Sequence, residues 1–179
     1  MDSFYYREEL EEMGFYSIGK NVLISRKASI YSAPTMSIGD NVRIDDFSVL
    51  SGNIKIGSYV HISAFVALYG SNGIIINDYS GVSAHSIIYS AVDDFSGEYM
   101  IGPLYPISVT NVQGGLVTLG CYTQIGASCV VMPNLIIPEG TVIGAMSFVN
   151  KSLKPWGIYA GIPVEKIKDR SKGLLQLKF

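Results

Sequence analysis

The sequence predicts an all-β fold, a parallel β-helix in which the chain winds as a three-sided coil. Three observations predict it. Ile, Leu or Val returns every six residues through Ile38, Ile44, Leu50, Ile56, Ile62 and Leu68, and again through Leu119, Ile125, Val131, Ile137, Ile143 and Val149. Extra residues fall only between groups of three such markers, as where Ile30 to Ile38 and Leu68 to Ile76 each take eight steps. A second register of small or apolar side chains sits two residues before most markers. An α-helix repeats its apolar stripe every 3.6 residues, so a period of six excludes it. Hairpin signals at intervals of about 8–12 residues, which a sandwich needs, are missing. Hexapeptide repeats specify a solenoid whose coils bury their faces on one another.

The elements follow in order. Residues 1–17 form an N-terminal helical cap. Its helix is predicted over 2–13, with Asp2 or Ser3 capping the start and Gly14 ending it. Phe4, Tyr6, Leu10 and Met13 make a stripe that can cover the open end of the coil. The coil spans 18–153, with markers Ile18, Ile24 and Ile30 opening the series and Ile76, Val82 and Ile88 completing its middle. The second register holds Val22, Val42, Ser48, Val60, Val66, Ser80, Ser86, Thr123, Cys129, Thr141 and Ser147. Residues two apart on a strand share a face, so both registers are predicted to point inward. Glycine follows the marker at Gly19, Gly39, Gly57, Gly120, Gly126 and Gly144, where the turn into the next edge is expected to start. Aromatics three after the marker, at Phe47, Tyr59, Phe65, Tyr79 and Tyr122, are expected at outward corners. The beat lapses once, for 31 residues between Ile88 and Leu119, which makes 89–118 a long excursion loop. Pro155-Trp156-Gly157 is expected to end the solenoid. Residues 164–172 are predicted as a short basic helix stopped by Gly173, within a C-terminal tail 154–179.

Composition narrows the classes. Hydrophobic residues are 48% and charged residues 16%, enough apolar side chain for an ordered single domain. A net charge of −2 argues against a general nucleic-acid binder. Charge is uneven: seven Lys or Arg against Glu165 and Asp169 from Lys151 onward, but Asp93, Asp94 and Glu98 with no cation from Tyr89 to Thr118. Cys121 and Cys129 offer neither a disulfide framework nor zinc spacing. With no apolar run long enough to span a bilayer and no visible signal peptide, a cytoplasmic protein is expected.

Ile38-Gly39-Asp40-Asn41-Val42-Arg43, Ile125-Gly126-Ala127-Ser128-Cys129-Val130 and Ile143-Gly144-Ala145-Met146-Ser147-Phe148 resemble the [LIV]-G-x-x-[STAV]-x hexapeptide of the left-handed β-helix acyltransferases. Tyr159-Ala160-Gly161-Ile162-Pro163 and Lys166-Ile167-Lys168-Asp169-Arg170 are similar to the C-terminal end of the sugar O- and N-acetyltransferases of galactoside, maltose and xenobiotic type. The resemblance implies left-handed winding and a homotrimer whose excursion loop helps enclose the acceptor between subunits. It implies transfer of an acetyl group from acetyl-coenzyme A to a sugar or nucleotide-sugar hydroxyl or amine, in cell-surface polysaccharide synthesis (O-antigen or capsule).

Direct transfer needs a proton acceptor and an oxyanion donor, but no protein nucleophile. Two histidines are candidates for the base. His61 precedes marker Ile62 and should face outward from a flat face, and His85 lies at a corner. The O-acetyltransferases resembled here carry their catalytic His just after the loop begins. This chain has Asp93 or Asp94 there, so either a carboxylate serves an amine acceptor or His61 serves a hydroxyl, and direct transfer is expected with Asp94 or His61 as the proton acceptor. Tyr89, Ser90 and Glu98 on the same loop are expected to meet the acceptor. The resemblance carries the coenzyme contacts: Ala127 and Ala145 beside the pantetheine arm, Asn150 and Lys151 near the adenine and phosphate end, Lys166 and Arg170 in the basic tail. A carbonic anhydrase on the same fold would need three histidines for its metal, and the chain has two, so no metal is expected. A non-catalytic scaffold is the remaining rival.

Overall fold

The computed structural model describes residues 3–177. Sixteen of the eighteen markers are buried, and Ile18 and Ile30 in the first coil are half-buried. Every member of the second register is buried as well. The two registers together fill a core about one side chain wide, each buried aliphatic contributing about 1.5–3 kcal/mol.

The markers define three faces. The first carries Ile18, Ile38, Ile56, Ile76, Leu119 and Ile137, the second Ile24, Ile44, Ile62, Val82, Ile125 and Ile143, and the third Ile30, Leu50, Leu68, Ile88, Val131 and Val149. Neighbouring coils pair in parallel, marker opposite marker, as in Ile44 with Ile62 and Ile62 with Val82. Val49–Ile56 and Ala67–Ile76 run as single strands around the corner from third face to first. That corner also accepts every insertion, including the long loop.

The turns are made differently from the expectation. The glycines after the markers do not take positive φ; the residues three after the marker do. Tyr59 (φ 57), Tyr79 (58), Tyr122 (59), Phe47 (60), Phe65 (61) and His85 (61) are all left-handed. A non-glycine residue there costs roughly 1–2 kcal/mol. Stacking offsets it: Phe47 on Phe65 at 4.9 Å, Tyr59 on Tyr79 at 5.1 Å and Tyr79 on Tyr122 at 5.0 Å, each pair worth about 0.5–1.5 kcal/mol. The glycines serve close approach instead. A Cβ on Gly126 would stand 2.6 Å from the backbone nitrogen of Ala145 in the next coil.

Both ends are covered. At the first coil the helix spans only Arg7–Glu12, shorter than the predicted 2–13. Ser3 does not cap it, and Asp2 lies outside the described residues. The Glu9 carboxylate accepts the Tyr6 N–H at 2.7 Å instead, and Leu10 plugs the core. At the other end the solenoid runs past Pro155-Trp156-Gly157. Trp156 takes the left-handed corner, Gly157–Ala160 adds a parallel strand beside Val142–Ile143, and Tyr159 fills the marker place at 5% exposure. The basic helix expected over 164–172 is instead a strand, Glu165–Asp169, antiparallel to Gly157–Ala160. Its position explains the difference, since it covers a sheet edge that would otherwise be exposed. Among the described residues a short 3-10 turn follows, at Gly173–Gln176.

Candidate active site

The excursion loop is a ribbon. Ala91–Asp93 pairs antiparallel with Val112–Gly114, and a tip of irregular chain joins them. Its root is anchored by Ser90, which is fully buried; the Ser90 hydroxyl accepts the Asn72 N–H at 2.8 Å and donates to the Tyr69 carbonyl at 2.9 Å. Ser90, expected to meet the acceptor, is therefore committed to holding the ribbon. Tyr89 stacks on Tyr69 at 5.4 Å, and Glu98 lies exposed at the tip.

The ribbon separates the two adjacent acids. Opposite residues of an antiparallel pair share a face. Val92 faces with Gln113, Asp93 with Val112, and Asp94 with Asn111. Asp94 accepts from the Ser96 N–H at 2.7 Å, from Asn111 Nδ2 at 2.7 Å and from Gln113 Nε2 at 3.1 Å. The Ser96 backbone N–H, then its hydroxyl, then Asn111, hold the Asp94 carboxyl below the usual carboxylate range. Asp93 is on the other side, and among the described residues its carboxylate has no hydrogen-bond or ionic partner. The Asp94 side of the ribbon roofs a cavity of about 360 Å³ walled by Val92, Gln113, Met132, Asn134, Phe148 and Asn150. The Asp93 side bears Val112, which is 61% exposed.

His61 projects outward from the second face as expected. Its Nε2 lies 2.7 Å from Asp45 Oδ2, and Arg43 Nε donates to the other Asp45 oxygen at 2.7 Å. Partial burial pushes Asp45 up, but the hydrogen bonds from His61 and Arg43 outweigh it and leave the carboxyl below its usual range. His85 stands at the corner beyond that face, its ring stacked on Phe65 at 4.7 Å. Sequence reasoning missed Asp45 and Arg43, since only the coil brings Asp45 beside a residue sixteen places later.

The coenzyme candidates divide. Ala127 and Ala145 lie at the same corner of successive coils, one half-buried and one exposed. Asn150 lines the cavity, and Lys151 pairs with Glu165 at 2.5 Å on the surface. Lys166 pairs with Asp169, which raises the lysine and lowers the aspartate. Arg170 is embedded: its guanidinium donates to the carbonyls of Tyr122 at 2.6 Å and Gly140 at 3.1 Å, over the Trp156 ring. Burial lowers its pKa. It clamps the last strand to the solenoid through Nη1. No three His, Cys, Asp or Glu side chains converge as a metal site among the described residues.

Residues 35–70 match the family described as bacterial transferase hexapeptide (six repeats). The chain is 43% identical over 173 residues to a dTDP-4-amino-4,6-dideoxy-D-glucose acyltransferase of Escherichia coli, covering 95% of this chain and 90% of the relative. It is 26% identical over 156 residues to WbbJ, a putative lipopolysaccharide biosynthesis O-acetyl transferase of Escherichia coli K12, covering 81% and 74%. Among solved structures it is similar to AntD, an N-acyltransferase from Bacillus cereus in complex with dTDP and 3-hydroxybutyryl-CoA, at 51% identity and TM-score 0.96, covering 98% and 94%. Other AntD structures carry substitutions at one serine and at one aspartate ten residues further on. A maltose O-acetyltransferase from Clostridium difficile 630, at 23% identity and TM-score 0.60 over 93% and 75%, shares the fold.

Proposed function

We propose, from the premise that the chain belongs to the hexapeptide-repeat sugar acyltransferases, that it moves a short acyl group from an acyl-coenzyme A onto the amine of a dTDP-linked 4-amino-4,6-dideoxyhexose. The observation that carries the reading is the Asp93 carboxylate, unpartnered among the described residues, on a ribbon with no cation and no histidine. Such a group can hold an ammonium and take its proton. Ser83 and Asp93 also stand at the serine-to-aspartate spacing of the substituted AntD positions, whereas Ala84 is ten residues before Asp94. The dTDP, amino sugar and acyl-coenzyme A bound to AntD supply the ligand classes.

The chemistry needs no covalent intermediate on the protein. The sugar ammonium gives a proton to Asp93. The neutral amine attacks the thioester carbonyl, forming the C–N bond and an oxyanion that a backbone N–H stabilises. Collapse breaks the C–S bond, and the departing thiolate takes the second amine proton. Asp94 is assigned a supporting part, holding the ribbon that presents Asp93. Ala127, Ala145, Asn150 and Lys151 are assigned to the coenzyme, with Lys151 exchanging Glu165 for a phosphate.

The assembly belongs to the proposal too. Ser83 follows the second face, and Asp93 leaves from the far corner of the third. A sugar touching both therefore sits between copies, as a homotrimer allows. The ribbon tip, with Phe95 76%, Leu104 92% and Ile107 91% exposed, supplies apolar surface for a neighbour. The proposal includes a cytoplasmic reaction. No helix among the described residues is long and apolar enough to cross a membrane. Its product would enter cell-surface polysaccharide.

An acceptor comparison tests the reading. With acetyl- and 3-hydroxybutyryl-coenzyme A, coenzyme release should require dTDP-4-amino-4,6-dideoxyglucose. Equal turnover on the 4-hydroxy dTDP-sugar would overturn it.

A further inference from the structure

The second face is unlike the other two. Its outward row runs Arg43, His61, Gly81, Gln124 through consecutive coils. Gly81 leaves a gap in that row, and the Gln124 carboxamide folds back to fill it. A Cβ on Gly81 would meet Gln124 Oε1 at 2.5 Å. Gln124 Nε2 donates to Ser83 Oγ at 3.0 Å and to its neighbour's carbonyl, Ile125, at 3.1 Å. The floor so formed offers an imidazole, a carboxamide oxygen and a hydroxyl.

Two aromatic ridges flank this floor. The corner before the second face carries the stacked Tyr59, Tyr79 and Tyr122, and the corner after it carries Phe47, Phe65 and His85. Tyr59, Phe47 and Phe65 are 46%, 50% and 48% exposed, so the ridges stand above the floor. A trough with apolar walls and a few fixed polar groups is the usual form of a small-molecule site. Its polar groups are an imidazole, a carboxamide and a hydroxyl beside the Asp45 carboxylate, a set that suits sugar hydroxyls better than phosphate. The cations at its end are occupied, since Arg43 is paired with Asp45.

Asp45 also fixes the chemistry of His61. An ionised carboxylate only accepts, so Nε2 carries the hydrogen that faces Asp45, and in the neutral form of the ring Nδ1 keeps its lone pair. The histidine thus presents an acceptor in one orientation.

We propose that this trough is the acceptor site, with the pyranose on the floor of His61, Ser83 and Gln124 between the Tyr59–Tyr79–Tyr122 and Phe47–Phe65–His85 ridges. His61 Nδ1 accepts a hydrogen bond from a ring hydroxyl. Asp45 is the positioning residue that sets its tautomer, and Gln124 is the positioning residue that orients the Ser83 hydroxyl toward the amine. The assignment rests on the proposed amino-sugar acyltransfer and adds where the sugar lies.

Steady-state kinetics with dTDP-4-amino-4,6-dideoxyglucose and its 2- and 3-deoxy analogues test it. Asp45→Asn and Gln124→Leu should each raise the acceptor KM by about tenfold, the worth of one well-made hydrogen bond, and leave the acyl-coenzyme A KM unchanged. The Asp45→Asn defect should shrink with whichever analogue lacks the hydroxyl that His61 contacts. His61→Gln, whose amide oxygen can accept, should keep more acceptor affinity than His61→Leu, which separates a binding role from a folding one. Unchanged acceptor KM in all variants would overturn the assignment. Loss of both KM values together with dissociation of the oligomer would overturn it in favour of an interface between copies. If the wild-type protein acylates no amino sugar, the proposed function fails first, which is a distinguishable result.

Discussion

Asp94 Oδ2 accepts a hydrogen bond from Asn111 Nδ2 at 2.7 Å across the ribbon. This contact turns Asp94 toward the solenoid and leaves its neighbour Asp93 on the opposite side. Two adjacent acids therefore have different chemical prospects, one saturated with donors and one available to a ligand.

Substitution should separate them. Asp93→Asn is expected to lower kcat by about 10² or more, the usual size of a general-base contribution, with the fold intact by circular dichroism. Asp94→Asn should loosen the ribbon, seen as faster proteolysis between 95 and 111, and raise both KM values with a smaller loss of kcat. Equal kcat losses with an unaltered ribbon would show that both acids act on substrate.

The pH dependence of the ribbon has a definite sign. Hydrogen bonds from Ser96 first and Asn111 after it depress the Asp94 pKa in the folded protein. Its contribution is present above the unfolded value, about 3.9, and is lost as pH falls through the lower folded value. Protection factors of the amides in 91–114 should therefore fall below about pH 4, ahead of those in the coil, and Asp94→Asn should abolish that acid-specific step.

The coil predicts its own sensitivities. Ile62→Ala removes a side chain with no exposure and should cost about 2–5 kcal/mol in denaturant unfolding. Gly126→Ala places a methyl against the backbone of the next coil and should cost about 1–3 kcal/mol, as overpacking does. Substituting alanine at Gly97, with nothing within 4 Å of its would-be Cβ, meets only the strain of φ +91.

Arg170 and Lys151 should separate structure from coenzyme binding. Arg170→Met removes the donors to Tyr122 and Gly140 and should lower the melting temperature while leaving the coenzyme KM near normal. Lys151→Ala should leave the melting temperature unchanged and raise the coenzyme KM, more so at low salt, because an exposed lysine–phosphate contact is screened.

Much of the fold is legible because it is local. Each marker needs only its own coil to point inward, so the six-residue beat reports Ile24 to Val149 directly. Non-local pairings are not legible in that way. The sequence pattern stops at Pro155 because Tyr159 replaces an aliphatic marker. Glu165–Asp169 reads as a basic helix because only its antiparallel partner makes it a strand. The left-handed aromatics are visible as a column, but their backbone is not, since Tyr and Phe ordinarily avoid positive φ. In the site, the acid pair and both histidines can be found from the sequence. The division of labour between Asp93 and Asp94 depends on Asn111 and Gln113, seventeen and nineteen residues away, which only the ribbon brings alongside.

The central claim is transfer to a sugar nitrogen, and the product tests it most directly. Wild-type protein incubated with dTDP-4-amino-4,6-dideoxyglucose and acyl-coenzyme A should yield one product. Its NMR spectrum should show an amide at C4 with every ring hydroxyl unmodified. An ester on a ring oxygen, with the amine still titratable, would contradict the account.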